Sequence, residues 1–315
     1  MSLLLLLVLP FGGGVAAWIL GNRRRLHARA AMTGTLGADA LLLLWLWGAS
    51  GGSESSPWIA EWSVSWIPQL GVQVALALDG LAFLMALLTC IVGIAALMAI
   101  WNSERANNGL HGFLYMTLLT GVLGVFLASD LLLFFVFYEV MLLPAAAMIL
   151  LWGSGGRERE ALRFFVFTQA SGMFMFIAIL GLHVEHVHST GVHSFAYADL
   201  LQTPLTESLG MLFLSGFFLA FAVKLPLVPF HTWQPGAYAA APVEASILFS
   251  ALMAKTAGYG LLRFAIPMFP EAAARLAPLA MSLGLFTILY ASWVAFGQTD
   301  LKRLIAFSSI SHMGY

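Results

Sequence analysis

Apolar runs of about twenty residues recur along almost the whole chain, and this feature limits its fold more than any other. A run of that length forms a helix that crosses the hydrocarbon core of a bilayer. The composition agrees, because 61% of the 315 residues are hydrophobic and only 9% are charged, whereas a soluble domain is about one-quarter charged. We therefore predict an all-α, polytopic transmembrane helix bundle. Its predicted helices are 2–20, 30–50, 74–101, 112–129, 131–152, 161–183, 208–231, 240–265, 276–296 and a tenth from about 300.

The distribution of Arg and Lys predicts the orientation, because cytoplasmic connections are enriched in these residues. With the N-terminus outside, the inner connections carry ten of them and the outer connections two, Arg263 and Arg275. The ten inner residues are Arg23, Arg24, Arg25, Arg29, Arg105, Arg157, Arg159, Arg163, Lys302 and Arg303. No small-residue cleavage site follows the first apolar run, so we expect a retained helix rather than a signal peptide.

Two longer polar connections separate predicted helices, a Gly/Ser/Trp-rich one at 51–70 and a His-rich one at 184–206. The second faces outside in the predicted orientation, and its histidines raise the question of a metal site. They are His183, His186, His188 and His193. No cysteine accompanies them, since the single Cys90 lies in an apolar run. We expect a solvated loop without a metal. One cysteine also excludes an intrachain disulfide and a cysteine-ligated cluster within this chain.

Three ionisable residues lie deep within predicted helices: Glu139, Lys224 and Lys255. Such a residue costs about 2.5–3.5 kcal/mol at a helix centre on translocon scales. The alternative to a functional role is a side chain that reaches the membrane surface. This alternative fails for the short side chain of Glu139 and is weak for Lys255, which has apolar-rich sequence on both sides. It is stronger for Lys224, which lies closer to its helix end.

Two prolines follow Lys224 in the stretch FAVKLPLVPFHTW. Pro226 and Pro229 have no N–H, so we expect the carbonyls of Ala222 and Leu225 to lose their helical donors and the helix to break. Freed backbone groups at membrane depth occur where they line a protein-buried or hydrated cavity. Broken helices with an ionisable residue recur in ion transporters. An ordinary proline kink is the alternative.

On the next helix, Glu244, Lys255 and Tyr259 are spaced by eleven and four residues, which places them near one face of a regular helix. Glu244 and Lys255 are then about 16 Å apart, too far to pair directly. A buried lysine suits proton transfer, because burial disfavours its charged form and a nearby carboxylate restores it. Phosphate-binding loops, dinucleotide fingerprints and hydrolase motifs are absent from the sequence.

Six stretches resemble the antiporter-like membrane subunits of respiratory complex I, the NADH:quinone oxidoreductase. They are specific as a set and spread over most of the chain, although each alone is weak. The stretches are LDGLAFLMALLT (78–89), FYEVMLLPAAAMILLWG (137–153), RFFVFTQASG (163–172), KLPLVPFHTWQP (224–235), KTAGYGLLRF (255–264) and QTDLKRLIAFSSISHMGY (298–315). Members of this family have about fourteen helices, with two inverted five-helix repeats that each contain a broken helix. The resemblance implies three N-terminal helices at 1–111, a first repeat at 112–268 and an incomplete second repeat at 269–315. Because the chain stops inside the tenth helix, we expect a fragment of a longer protein.

The resemblance also implies residue roles. Glu139 matches the family's glutamate on the fifth helix, and Lys224 matches its partner lysine on the broken helix. Lys255 matches the central lysine, and His312 matches the histidine in the second repeat's proton path. Three accessory candidates complete the set: His231, Glu244 and Tyr259. Two departures from the family concern Gly236-Ala237-Tyr238, where an Asp-Ala-His run is common, and PVEAS, which introduces Glu244.

The function implied is proton translocation through these residues, driven by quinone reduction in other subunits. Flavin, iron–sulfur clusters and quinone would then belong to partner subunits, while this chain holds no cofactor or metal. Its partners would be other membrane subunits, the lipid bilayer and protons, and no nucleic acid. Its place would be the bacterial inner membrane, with a periplasmic N-terminus. Two alternatives stay open: a subunit of a multisubunit cation/proton antiporter or membrane-bound hydrogenase, and a structural membrane-arm component without transport of its own.

Overall fold

The computed structural model describes residues 1–21, 25–49, 58–103 and 108–315. Three cations that count toward the predicted orientation, Arg23, Arg24 and Arg105, lie outside these ranges. Residues 50–57, which include the first part of the Gly/Ser/Trp-rich connection, lie outside them as well.

Helices account for most of the described residues, and nine helical stretches among them are long and apolar enough to cross a membrane. This confirms the predicted polytopic helix bundle. The helices are α1 (Ser2–Leu20), α2 (Arg25–Ala49), α3 (Gly80–Ala99), α4 (Gly109–Leu127), α5 (Leu131–Val140), α6 (Leu142–Trp152), α7 (Arg157–Thr190), α8 (Tyr197–Leu200), α9 (Glu207–Lys224), α10 (Gln234–Ala240), α11 (Val243–Leu248), α12 (Ala254–Gly260), α13 (Ile266–Met268), α14 (Pro270–Phe296) and α15 (Leu301–Met313).

A β-hairpin precedes α3, where the sequence predicted a helix from residue 74. Strand β1 (Ala60–Ile67) pairs antiparallel with β2 (Val72–Leu78). Mean hydropathy does not distinguish a short apolar strand from a helix. The segment AEWSVSWI does alternate polar and apolar residues, which is the two-residue period of a strand. The helix boundary at residue 74 was therefore wrong, and α3 begins after Asp79, whose side chain caps it.

Other predicted boundaries also change, since α2 begins at Arg25 instead of residue 30 and α14 at Pro270 instead of residue 276. The sixth predicted helix, 161–183, is longer in the structure, because α7 continues to Thr190, where Gly191 in the left-handed conformation ends it. The seventh, 208–231, is shorter, because α9 ends at Lys224.

The described chain divides into two compact units. The first comprises Met1–Pro68, Val72–Met148 and Val243–Leu252. Its central element is α4, of whose 19 residues 15 are buried, and which packs against α1, α3 and α5. The helix α11 joins this unit by packing against α3.

The second unit comprises Gln69–Gly71, Ile149–Pro242 and Met253–Tyr315. Here α7 packs against α9, and α14 packs against both α9 and α15. The short helix α10, which follows the end of α9, lies between α7 and α15. After Lys224, Pro226, Leu227 and Val228 are buried in this unit, whereas Pro229 is exposed.

Candidate functional site: buried charges and a broken helix

The helix α9 ends at Lys224 because the next residues cannot continue its hydrogen-bond ladder. The Leu225 N–H still donates to the Phe221 carbonyl over 2.7 Å, but Pro226 has no N–H to donate. The Leu227 N–H then donates to the Ala222 carbonyl over 2.9 Å, one residue further back than in a regular helix. The Ala222 carbonyl thus loses its helical donor as expected, but it is not left free, because the Leu227 N–H takes the place of that donor.

Side chains of the second unit bond to two of the backbone groups that the break releases. The Val223 carbonyl, passed over by Leu227, accepts a hydrogen bond from the indole N–H of Trp233 over 2.8 Å. The Val228 N–H donates to the Thr287 hydroxyl oxygen on α14 over 2.9 Å. Irregular backbone at membrane depth needs such internal partners, since hydrocarbon offers none.

Lys224 is one of the largest fully buried side chains of the described residues, with 1% of its surface exposed. It is the last residue of α9, next to the irregular segment 225–229. The helix α12, which carries Lys255, packs against α9. A Cβ at Gly260 of α12 would clash with the ring of Phe221, so glycine permits this close approach. The two lysine-bearing helices are thus in contact within one unit.

Lys255 follows a π-turn, Phe249–Met253, and lies at the second position of α12. Its side chain is partly buried, and Tyr259, one turn further, is 4% exposed. A second π-turn, Leu261–Ala265, follows α12. Single π-turns within helices occur frequently at functional sites. The wider turn also removes the regular 3.6-residue spacing on which the predicted stripe of Glu244, Lys255 and Tyr259 depended.

Glu139 lies in the first unit, near the end of α5. Both of its carboxylate oxygens are inaccessible to solvent. Lys224 and Lys255 belong to the second unit. The pairing of Glu139 with Lys224 therefore stays a prediction.

Glu244 has a partner that the sequence did not indicate. Its Oε1 lies 2.8 Å from Nε2 of His111, and both side chains are buried, with exposures of 0% and 1%. The sequence reading started the fourth helix at residue 112 and so left His111 in a connection. In the structure His111 is the third residue of α4, where the Asn108 side chain accepts its backbone N–H. No local sequence signal indicates the contact between His111 and Glu244, because the two residues are 133 positions apart.

The two remaining histidine candidates have different surroundings. His231 is 7% exposed, and its ring contacts Tyr290 and Phe307 edge-on or tilted, at centroid distances of 5.3 and 6.3 Å. His312 is exposed on α15 and lines a groove with Ser308 and Tyr315.

The His-rich segment is more ordered than a solvated loop, so that expectation was wrong for two of its residues. His183 and His186 lie on α7 and are buried. The Nδ1 atom of His183 lies 2.9 Å from the Ser194 carbonyl, and that of His186 lies 2.8 Å from the Thr203 hydroxyl. Among the described residues no group of three or more His, Cys, Asp or Glu is arranged to hold a metal ion.

Comparison with known proteins identifies the family. Residues 128–315 match the family model described as NADH:quinone oxidoreductase/Mrp antiporter, TM. NADH-quinone oxidoreductase subunit M of Escherichia coli K12 is 44% identical over 98% of this chain, and that of Pseudomonas aeruginosa is 42% identical over 98%. The chain spans 63% of the length of each of these relatives.

Solved structures agree with this match. A chain of respiratory complex I from Thermus thermophilus with bound NADH has a TM-score of 0.84 and 32% identity, covering 100% of this chain and 63% of that one. A chain of the Mrp complex from a Dietzia species has a TM-score of 0.82 and 26% identity, covering 100% of this chain and 33% of that one. The chain therefore belongs to the family of NADH:quinone oxidoreductase and Mrp antiporter membrane subunits.

Proposed function

We propose that this chain is part of a proton-translocating membrane subunit of an NADH:quinone oxidoreductase, corresponding to subunit M. The observation that carries the proposal is the burial of Lys224 at the point where α9 breaks. The helix α9 also packs against α12, which bears Lys255. Burying a lysine in a membrane segment costs free energy, and ionisable residues at such positions mark ion and proton pathways. The identity to subunit M of two bacteria supports the choice of complex.

Proton transfer in this site follows from the chemistry of a buried amine. Burial favours the neutral amine, and an approaching carboxylate favours the ammonium ion. Such pairing is worth about 1–4 kcal/mol at 4 Å, as the effective dielectric falls from that of water to that of a protein surface. Moving one charge against 100 mV requires about 2.3 kcal/mol. The free energy that a moving carboxylate adds to or removes from the ammonium ion is therefore comparable to the work of moving a proton against a membrane potential.

In this proposal Glu139, Lys224, Lys255 and His312 carry protons, and quinone reduction in other subunits supplies the energy. Flavin, iron–sulfur clusters and quinone belong to those partner subunits. The protein lies in the bacterial inner membrane, with its N-terminus on the periplasmic side, as the Arg and Lys distribution favours.

Replacement of Lys255 tests the proposal in inner-membrane vesicles energised by NADH. Lys255→Ala should abolish proton uptake while most of the complex still assembles. Lys255→Arg should fail as well, because arginine does not release a proton at physiological pH. Full proton uptake by the arginine variant, at normal assembly on native gels, would contradict a carrier role and favour anchoring of the helix.

A second function is supported by the structural likeness to the Mrp complex, whose TM-score is close to that of the complex I chain. In that case the chain serves cation/proton exchange. Vesicles that acidify on NADH oxidation but show no sodium-dependent proton exchange would favour the first function, and the reverse result would favour the second.

A further inference from the structure

The buried pair His111–Glu244 lies outside the set of lysines and glutamate described above. The imidazole Nε2 and the carboxylate Oε1 are 2.8 Å apart, a normal hydrogen-bond distance, and the residues are separated by 133 positions. Both belong to the first unit, on α4 and α11. The contact therefore joins the start of one membrane helix to the start of another.

Tyr115 closes this site on the α4 side. Its ring stacks against that of His111, with a centroid distance of 6.4 Å, and it is fully buried. The Tyr115 hydroxyl donates to the Gly93 carbonyl of α3 over 2.6 Å. Since the one proton of this hydroxyl is donated to α3, Tyr115 does not donate it to His111 or Glu244.

A buried pair of this kind contributes little to the stability of the fold compared with apolar side chains. Replacing a buried ion pair by apolar residues of similar size is often neutral or stabilising. An apolar pair, however, cannot hold a proton. The imidazole–carboxylate pair has two arrangements of equal net charge, imidazolium with carboxylate and neutral imidazole with carboxylic acid, which differ only in the position of one proton along the hydrogen bond.

We propose that His111 and Glu244 form a proton-relay pair at the inner ends of α4 and α11, a proton-carrying site additional to Glu139 and the two buried lysines. A proton from the inner side converts the one-proton pair to imidazolium with carboxylic acid. Transfer of a proton to the next acceptor restores the first state, so one N–H or O–H bond forms and one breaks in each cycle. The inner location follows from the distribution of Arg and Lys. The helix α4 also packs against α5, which carries Glu139.

This inference rests on the proposed proton translocation, and its test uses the full-length subunit in its assembled complex. The variants are His111→Gln and Glu244→Gln, which keep hydrogen-bonding groups but cannot relay a proton, and the double variant His111→Phe/Glu244→Ala. Inner-membrane vesicles report protons translocated per NADH oxidised, and native gels report assembly. A step that loses its acid–base group slows by about 100-fold or more, so all three variants should lose most of the proton signal at a given NADH oxidation rate.

The double variant separates a relay from a structural pair. If the pair is only structural, the apolar double variant assembles and translocates protons normally, which would overturn the proposal. If the pair is a relay, it assembles but remains deficient in translocation. Lys255→Ala is measured in parallel. Normal proton translocation by Lys255→Ala would refute the proposed function itself. Loss of translocation in Lys255→Ala, together with normal translocation in the His111 and Glu244 variants, would refute only the relay.

An infrared difference spectrum of the purified complex, recorded between its oxidised and reduced states, adds a readout that packing alone does not move. The relay predicts a carbonyl-stretch band from a buried carboxylic acid that disappears in Glu244→Gln and persists in Tyr115→Phe. An unchanged spectrum in Glu244→Gln would contradict proton uptake by this carboxylate.

Discussion

The contact between Val228 and Thr287 holds the broken segment against α14, and its removal should loosen that segment measurably. The Thr287 hydroxyl oxygen accepts the Val228 N–H over 2.9 Å, and Thr287 is fully buried. The same hydroxyl donates to the Leu283 carbonyl over 2.7 Å, which fixes its orientation. Thr287→Val preserves the shape of the side chain but leaves the Val228 N–H without an acceptor. Leaving a buried donor unsatisfied costs about 1–3 kcal/mol.

This cost converts into an exchange rate. If the native segment is destabilised by about 1–3 kcal/mol relative to its open form, local opening becomes about 5- to 150-fold more frequent. Hydrogen–deuterium exchange of peptides covering 225–233 in the assembled complex should accelerate by that factor in Thr287→Val. Thr287→Ser, which keeps the hydroxyl, is the matched control and should exchange like the wild type. Equal exchange in all three proteins, at partial labelling of the wild type, would show that this hydrogen bond does not hold the segment.

Three further outcomes are expected. Asp130 caps α5, because its Oδ1 accepts the N–H groups of Leu132 and Leu133 while its Oδ2 accepts that of Gln73, and burial raises its pKa although these hydrogen bonds lower it. Asp130→Asn keeps one acceptor oxygen for the cap, but its NH2 group cannot accept the Gln73 N–H. It should therefore speed thermal inactivation of the complex less than Asp130→Ala, which should cost about 0.5–2 kcal/mol. Lys302 donates to two carbonyls at the end of α10, the nearer at 2.8 Å. Lys302→Met should therefore speed thermal inactivation of the complex more than Arg303→Met, which removes only an exposed charge. Equal effects of the two variants would refute the capping role. If Glu139 and Lys224 pair, exchanging the two residues should restore part of the proton translocation that each single reversal abolishes, and a double variant as inactive as the single ones would argue against the pair.

Some features of this protein depend only on the local sequence. Twenty apolar residues in a row need a bilayer or a protein interior wherever they occur, so the helix bundle was predictable. The end of α9 near Lys224 was also predictable in kind, because Pro226 lacks an N–H in any environment. The strand alternation of AEWSVSWI was equally local, although the sequence analysis assigned these residues to the Gly/Ser/Trp-rich connection.

The tertiary structure decided which groups meet. No local pattern gives Glu244 a partner 133 residues away, and a lone histidine such as His111 at a helix start reads as a solvated residue until α4 and α11 are placed together. The burial of His183 likewise depends on the fold that brings the Ser194 carbonyl to it. The same holds for the broken helix, where the donor for Val223 and the acceptor for Val228 come from side chains elsewhere in the unit. The sequence alone indicates where the backbone must depart from a helix and where a charge lies within an apolar segment, because these are properties of one segment. Hydrogen-bond partners depend on packing between distant segments, and only the folded chain fixes that packing.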